Sequence, residues 1–360
     1  MVEPANPGTS SMLYVTFNQD ASLFAIGTET GFSIYNSCPF KDNFTRDMKG
    51  GIGIIEMLNR SNILALVGGG QNPKYASNKV VIWDDHQNKA ISELRFISSV
   101  KNVKLKRDKL FVVCEQKIYI FAFLTFENLE NLETYENQKG IIAISTAPNA
   151  SIIAYLDKVI GSVKVKDLDT HQEITIQAHE NMIACMTLNP NGTILATCSE
   201  RGTLIRIFST KDGKLLQELR RGSEKAEIYS LAFNKTGKYL ACSSDRKTIH
   251  IFILNEAAQE QDKENPNTEE PQNQKSVLGK ITSMFGFQKS YFNSEWSYAQ
   301  FRINDLKSIC AFAPDNSIIV VSSEGKYYQA TFDPKVGGEC IKVQEKNIFQ
   351  KEEDKKEEDK

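Results

Sequence analysis

Most of the chemistry-bearing patterns that would mark an enzyme or a metal protein are missing from this 360-residue sequence. There are four histidines (His86, His171, His179 and His250), scattered and without ligand spacing. The seven cysteines form no Cys-x-x-Cys pair, so a zinc site is not expected. Several of them sit in apolar, strand-like runs, which reads as buried thiols in a reducing compartment. No Gly-x-Ser-x-Gly, His-Glu-x-x-His or phosphate loop ending in Gly-Lys-Ser/Thr occurs, and neither an enzymatic activity nor a cofactor is expected. Excess charge is missing too: 43 Lys+Arg stand against 45 Asp+Glu. That balance argues against nucleic acid as a partner, since a broad electrostatic grip needs a basic domain. No apolar run approaches the roughly 18–20 residues of a membrane span. The first residues lack a basic stretch followed by an apolar one, so no signal peptide is expected.

What is present is repetition. Short β-branched, apolar runs recur at Leu13–Tyr35, Ile52–Trp83, Val100–Phe123, Ile141–Val165, Met182–Phe208, Ile228–Ile253 and Ile309–Phe332. Their starts are 39, 48, 41, 41, 46 and 81 residues apart. Five of these intervals fall near the roughly 40–50 residues of a four-stranded propeller blade, and the last is one blade plus an insertion. The fifth and sixth units match best: Met186-Thr-Leu-Asn-Pro-Asn-Gly aligns with Leu231-Ala-Phe-Asn-Lys-Thr-Gly, and the two units end Ile-Arg-Ile-Phe and Ile-His-Ile-Phe. One Trp-Asp pair, Trp83-Asp84, adds a weak WD-repeat signal. The expected fold is an all-β, seven-bladed, WD-repeat-like β-propeller over residues 1–344.

The insertion, residues 255–300, belongs to the sixth blade and has two compositions. Residues 255–275 are acidic, with Pro266 and Pro271 and no large apolar side chain, which reads as a disordered tether. Beyond it, Val277, Leu278, Ile281, Met284, Phe285 and Phe287 give a short amphipathic stretch suited to a membrane interface. Tyr291 to Phe301 is assigned to the propeller edge. Residues 345–360 are expected to be a charged, disordered tail. The runs Gly50-Gly-Ile-Gly and Gly68-Gly-Gly lack the following helix of a nucleotide loop, and read as flexible connections between strands.

One feature stands apart. Leu219-Arg-Arg-Gly ends a strand-like run between the fifth and sixth units. Alternation along an extended strand sends Arg220 and Arg221 to opposite sides, and guanidinium suits bidentate phosphate contact. His179, Thr197, Ser199, Thr203 and Arg206 lie in or just before the fifth unit; Ser244, Thr248 and His250 lie in the sixth. These could form two anion cradles. Equally, paired arginines at a strand end bridge to acids such as Glu218, and Ser/Thr/His at blade turns serve the turn itself.

Taken together, Leu219-Arg-Arg-Gly, Ser199-Glu-Arg-Gly-Thr, Ser243-Ser-Asp-Arg-Lys-Thr, Gln177-Ala-His-Glu and Phe292-Asn-Ser-Glu-Trp-Ser resemble the PROPPIN family of polyphosphoinositide-binding propellers that act in autophagy. Leu before the arginines is similar to the subgroup of shorter members. The resemblance implies two headgroup sites for phosphatidylinositol 3-phosphate or 3,5-bisphosphate. The first would hold His179, Thr197, Ser199, Thr203, Arg206 and Arg220; the second Arg221, Ser244, Thr248 and His250. It further implies that the insertion in the sixth blade enters the bilayer, and that Asn18 and Asp20 bind the autophagy lipid-transfer protein, although Asn18-Gln-Asp is also a good β-turn. The expected location is the cytoplasmic side of autophagosome-precursor, endosomal or vacuolar/lysosomal membranes. The rival reading is a WD-repeat scaffold that binds only proteins.

Overall fold

The computed structural model describes residues 12–255 and 294–350, and among these there is no helix. Seven antiparallel sheets follow one another along the chain. Blades 1 to 4 run Met12–Asp47, Ile52–Arg95, Val100–Glu133 and Ile142–Gln177, four strands each. Blade 5 covers Ile183–Arg220, blade 6 starts at Ile228 and blade 7 at Ser308. The architecture is a seven-bladed β-propeller, as the spacing indicates, and each blade starts within a residue of its expected unit.

The middle strands of each blade are apolar on both faces because a neighbouring blade covers each side. Leu23–Thr28, Ile194–Ser199 and Tyr239–Ser244 are buried along their whole length. A buried hydrophobic cluster fills each seam between successive blades. Among the described residues the ring closes by packing, with no strand exchanged between the first and last blades. Phe24 and Tyr35 of blade 1 stack at 4.9 Å, Phe40 lies 4.7 Å from Tyr327 of blade 7, and the Tyr327 hydroxyl donates to the Ser37 carbonyl at 2.6 Å. Burying each such aromatic contributes roughly 1.5–3 kcal/mol.

The fourth strands face solvent on one side. Lys41–Asp47 and Lys89–Arg95 alternate exposed and half-buried residues. Two sheets gain a fifth, parallel strand from a distant segment: Glu295–Trp296 joins Leu215–Arg220 in blade 5, and Gly338–Glu339 joins Ala299–Arg302 in blade 6. Residues 294–300 of the insertion are thus built into the sheets of blades 5 and 6. The boundary set at 344 is too early. The last strand of blade 7 runs Ile341–Asn347 and pairs with Lys326–Thr331, and Ile348 is buried. Most of its side chains face solvent while its backbone completes the sheet.

Two local devices recur. Asn18, Asn189 and Asn234 each accept the backbone N–H five residues on, all at 3.0 Å, and each donates to a Ser or Thr hydroxyl within the same turn. The first turn of blades 1, 5 and 6 is closed by the same side chain. The glycine runs are close-packed, which corrects their reading as flexible connections. Gly51 accepts from the N–H of Gly69 (3.2 Å) and Lys74 (3.0 Å), and a Cβ on Gly69 would lie 2.5 Å from Gly53 Cα.

Candidate functional site

Blade 5 places the arginines through its register. Leu204–Ser209 pairs with Leu215–Arg220 so that Arg206 faces Glu218 and Leu204 faces Arg220, while Thr197 faces Arg206 from the other side. Thr197, Arg206 and Glu218 therefore form one row across a single face of the sheet. Leu195 and Phe208 on that face pack in the seam with blade 4. The opposite face, with Cys198, Ile205 and Leu219, packs against blade 6. Arg220 continues the first face and Arg221 the second.

On the blade 4 side, His179 Nε2 and Thr197 Oγ1 are 3.0 Å apart, both buried. Arg206 Nη1 donates to the Ala178 carbonyl at 2.7 Å and Nε to Glu218 at 2.9 Å. Burial, followed by the nearby Arg206 charge, lowers His179 to about 4. Its imidazole is neutral at physiological pH, so the positive charge here is guanidinium alone. Arg220 is 5% exposed, and its Nε donates to Ser294 Oγ at 2.8 Å. Ser199 ends the same strand face as Thr197 and is buried.

On the blade 6 side, Arg221 is 5% exposed; its Nε donates to the Gly202 carbonyl at 2.8 Å and its Nη2 to the Glu224 carbonyl. His250 faces Cys242 across the sheet, and Cys242 belongs to the blade 5–6 seam. Burial and then the Arg221 charge lower His250 to about 4 as well. Its Nδ1 lies 3.2 Å from Ser297 Oγ. Ser244 Oγ accepts from the Arg246 N–H at 3.3 Å, and Thr248 Oγ1 donates to the Arg246 carbonyl at 3.4 Å.

The structure thus brings His179, Thr197 and Arg206 together, with Ser199 and Arg220 on the next row, and sets Arg221, Ser244, Thr248 and His250 around the other seam. The Thr203 carbonyl accepts the Arg221 N–H at 3.0 Å, so its backbone also joins the second arginine. Ser294 and Ser297, which meet Arg220 and His250, did not stand out in the sequence. Their place just before and after Glu295-Trp296 is set by the parallel pairing of that segment with Leu219-Arg220.

Two buried arginines thus sit toward opposite faces at the end of one outer strand, with a neutral imidazole near Arg206 on one side and near Arg221 on the other. The PROPPIN family model matches residues 11–349. This chain belongs to the PROPPIN family. Members of that family are non-enzymatic scaffold or effector proteins. This PROPPIN is 37% identical over 342 residues to "Autophagy-related protein 18e" of Arabidopsis thaliana, covering 94% of this chain and 88% of that one. It is 32% identical to "SVP1-like protein 2" of Pichia angusta, covering 89% and 90%. Among solved structures, Kluyveromyces lactis Hsv2 with its complete loop 6CD superposes with a TM-score of 0.76 at 25% identity, over 94% of this chain and 100% of that one.

The other expected site residues of this PROPPIN fall elsewhere. Val277, Leu278, Ile281, Met284, Phe285 and Phe287 lie outside the described residues, as does the acidic tether from residue 256. Asn18 is 5% exposed and holds its turn, donating also to the Asn59 carbonyl of blade 2 at 3.2 Å. Asp20 is exposed at the tip and accepts from the N–H (3.0 Å) and hydroxyl (2.6 Å) of Ser22. Among the described residues no helix is long and apolar enough to cross a membrane.

Proposed function

We propose that this PROPPIN is a phosphoinositide-binding peripheral membrane effector in autophagy, docking on cytoplasmic membrane surfaces through two headgroup sites. The observation that carries the reading is the placement of Arg220 and Arg221 toward opposite faces at the end of one strand, each nearly buried, with the Ser294 hydroxyl on Arg220 and the uncharged His250 imidazole near Arg221. The family and the autophagy names of its relatives support the cellular role. A monoester phosphate entering either site would meet a guanidinium already held in place. Each charge-assisted hydrogen bond contributes roughly 1.5–3 kcal/mol, so one site alone is weak. Two sites on one rigid sheet, together with insertion of residues 277–287 into the headgroup layer, reinforce each other through effective concentration. The ligands in view are phosphatidylinositol 3-phosphate and 3,5-bisphosphate. Asp20, exposed on blade 1, is the side chain we assign to a docked autophagy lipid-transfer protein.

The test is vesicle co-sedimentation with and without phosphatidylinositol 3-phosphate, comparing wild type with Arg220→Thr/Arg221→Thr. Phosphoinositide-dependent binding is expected for wild type and lost in the double variant, with the thermal midpoint of each measured to confirm folding. Undiminished binding by a folded double variant overturns the two-site reading.

A further inference from the structure

The connection between the second and third strands of blade 4 carries side chains that the two arginine sites do not use. Its tip is Lys158-Val159-Ile160-Gly161, and Val159 and Ile160 are 57% and 55% exposed. Turn tips ordinarily carry Gly, Asn, Asp, Ser or Pro, because those residues satisfy the backbone or its dihedrals. Two adjacent β-branched aliphatics there serve neither purpose. Met182, on the neighbouring connection from blade 4 to blade 5, is exposed as well.

This tip is held rigidly. The Ser162 N–H donates to the Val159 carbonyl at 3.1 Å, the Asp157 N–H to the Ser162 carbonyl at 3.2 Å, and the Ser162 hydroxyl to the Asp157 carboxylate at 3.2 Å. Gly161 adopts φ +75°, and a Cβ there would lie 1.9 Å from the His179 carbonyl oxygen. The tip is also fastened to the first arginine site. The Gly161 carbonyl accepts the N–H groups of Ala178 and His179, both at 3.0 Å. Gln177 Nε2 donates to the carbonyls of Ile160 (3.2 Å) and His179 (2.8 Å). Ala178 in turn accepts from Arg206. The aliphatic pair and the anion site therefore move as one body.

We propose that Val159 and Ile160 form an apolar membrane contact that enters the bilayer interface when the neighbouring His179–Arg220 site holds a lipid headgroup. The inference rests on the membrane reading above. A lipid surface is the occupant that fits, for two reasons. The patch is continuous through hydrogen bonds with a phosphate-type site, and its chemistry is aliphatic rather than cationic. Lys158 is already paired with Glu133 at 2.5 Å, and Glu180 and Glu200 flank the neighbouring connection, so electrostatic attraction supplies little here. Aliphatic area removed from water supplies the attraction instead, and the pre-formed turn loses little conformational freedom on entry.

The experiment uses the full chain and phosphatidylcholine vesicles with and without phosphatidylinositol 3-phosphate. Val159→Ser/Ile160→Ser is expected to bind phosphoinositide vesicles about tenfold more weakly than wild type, with its dependence on the phosphoinositide kept. An Ile160→Trp variant is expected to show a blue-shifted emission, quenched by brominated acyl chains, only when phosphoinositide is present, after subtraction of the wild-type signal. Wild-type binding that the serine variant matches overturns this inference alone. So does an added tryptophan, in the Ile160→Trp variant, whose emission is indifferent to vesicles that the protein binds. A wild-type chain that ignores the phosphoinositide overturns the membrane reading and this one with it.

Discussion

Acid should loosen this propeller at its two histidine sites, by an amount the structure sets. His179 and His250 titrate at about 4 in the folded protein against an ordinary value of 6.5. Both are lowered first by burial and then by an arginine, Arg206 for His179 and Arg221 for His250. Between these two values the unfolded chain binds more protons than the folded one. Stability is therefore full above the unfolded value and is lost as pH falls toward the folded one. At about pH 5.5 each histidine should lower the unfolding free energy by about 1 kcal/mol relative to pH 7, roughly 2 kcal/mol for the pair. The perturbation is His179→Gln/His250→Gln, which removes this proton linkage and leaves every carboxylate in place. Urea unfolding followed by tryptophan fluorescence at the two pH values reads it out. The double variant should lose about 2 kcal/mol less than wild type on acidification, whatever its stability at pH 7. A soluble inositol phosphate bound near the imidazoles should also reduce the wild-type loss, because an anion raises the folded-state values. Equal losses in wild type and variant would refute the claim that these imidazoles are buried neutral beside the arginines.

Asn18→Ala should cost about 1–2 kcal/mol in thermal or urea unfolding, because it leaves turn groups unpaired. Asp20→Ala should cost under about 0.5 kcal/mol and reduce capture of a lipid-transfer partner; a partner lost with Asn18→Ala but kept with Asp20→Ala would overturn that assignment. Gly69→Ala should destabilise the fold by about 2 kcal/mol or more in urea, since its Cβ would meet Gly53 Cα. Gly222→Ala, where a Cβ has nothing within 4 Å, is the matched control and should unfold near wild type.

The blade repeat was legible because the inner strands of a propeller are apolar on both faces. Runs such as Leu23–Thr28 and Tyr239–Ser244 stand out against polar turns, and Asn189 and Asn234 punctuate them alike. The outer strands were not legible. Lys41–Asp47 and Ile341–Asn347 are mostly exposed, carry several charges and have no apolar run, so they resemble loop or tail, and the last strand was cut short at residue 344. Of the site, the opposite facing of Arg220 and Arg221 followed from strand alternation alone. Ser294 and Ser297 could not follow from it, because their place depends on a parallel pairing between segments far apart in sequence. Thr203 sits next to a turn, where alternation no longer decides which backbone neighbour it joins.

The fifth strand of blade 5 also sets an order of assembly during synthesis. Blades 1 to 4 each finish their sheets from contiguous sequence, so each can complete as it leaves the ribosome. Blade 5 cannot. Ser294, which meets Arg220, is translated 74 residues later. At roughly 5–20 residues per second this is a delay of about 4 to 15 s. For that interval the nascent chain carries Arg220 without the serine that meets it. The first arginine site is thus finished only after blade 6 has begun, and a chain stalled within the insertion would emerge with five blades in place and that site still open.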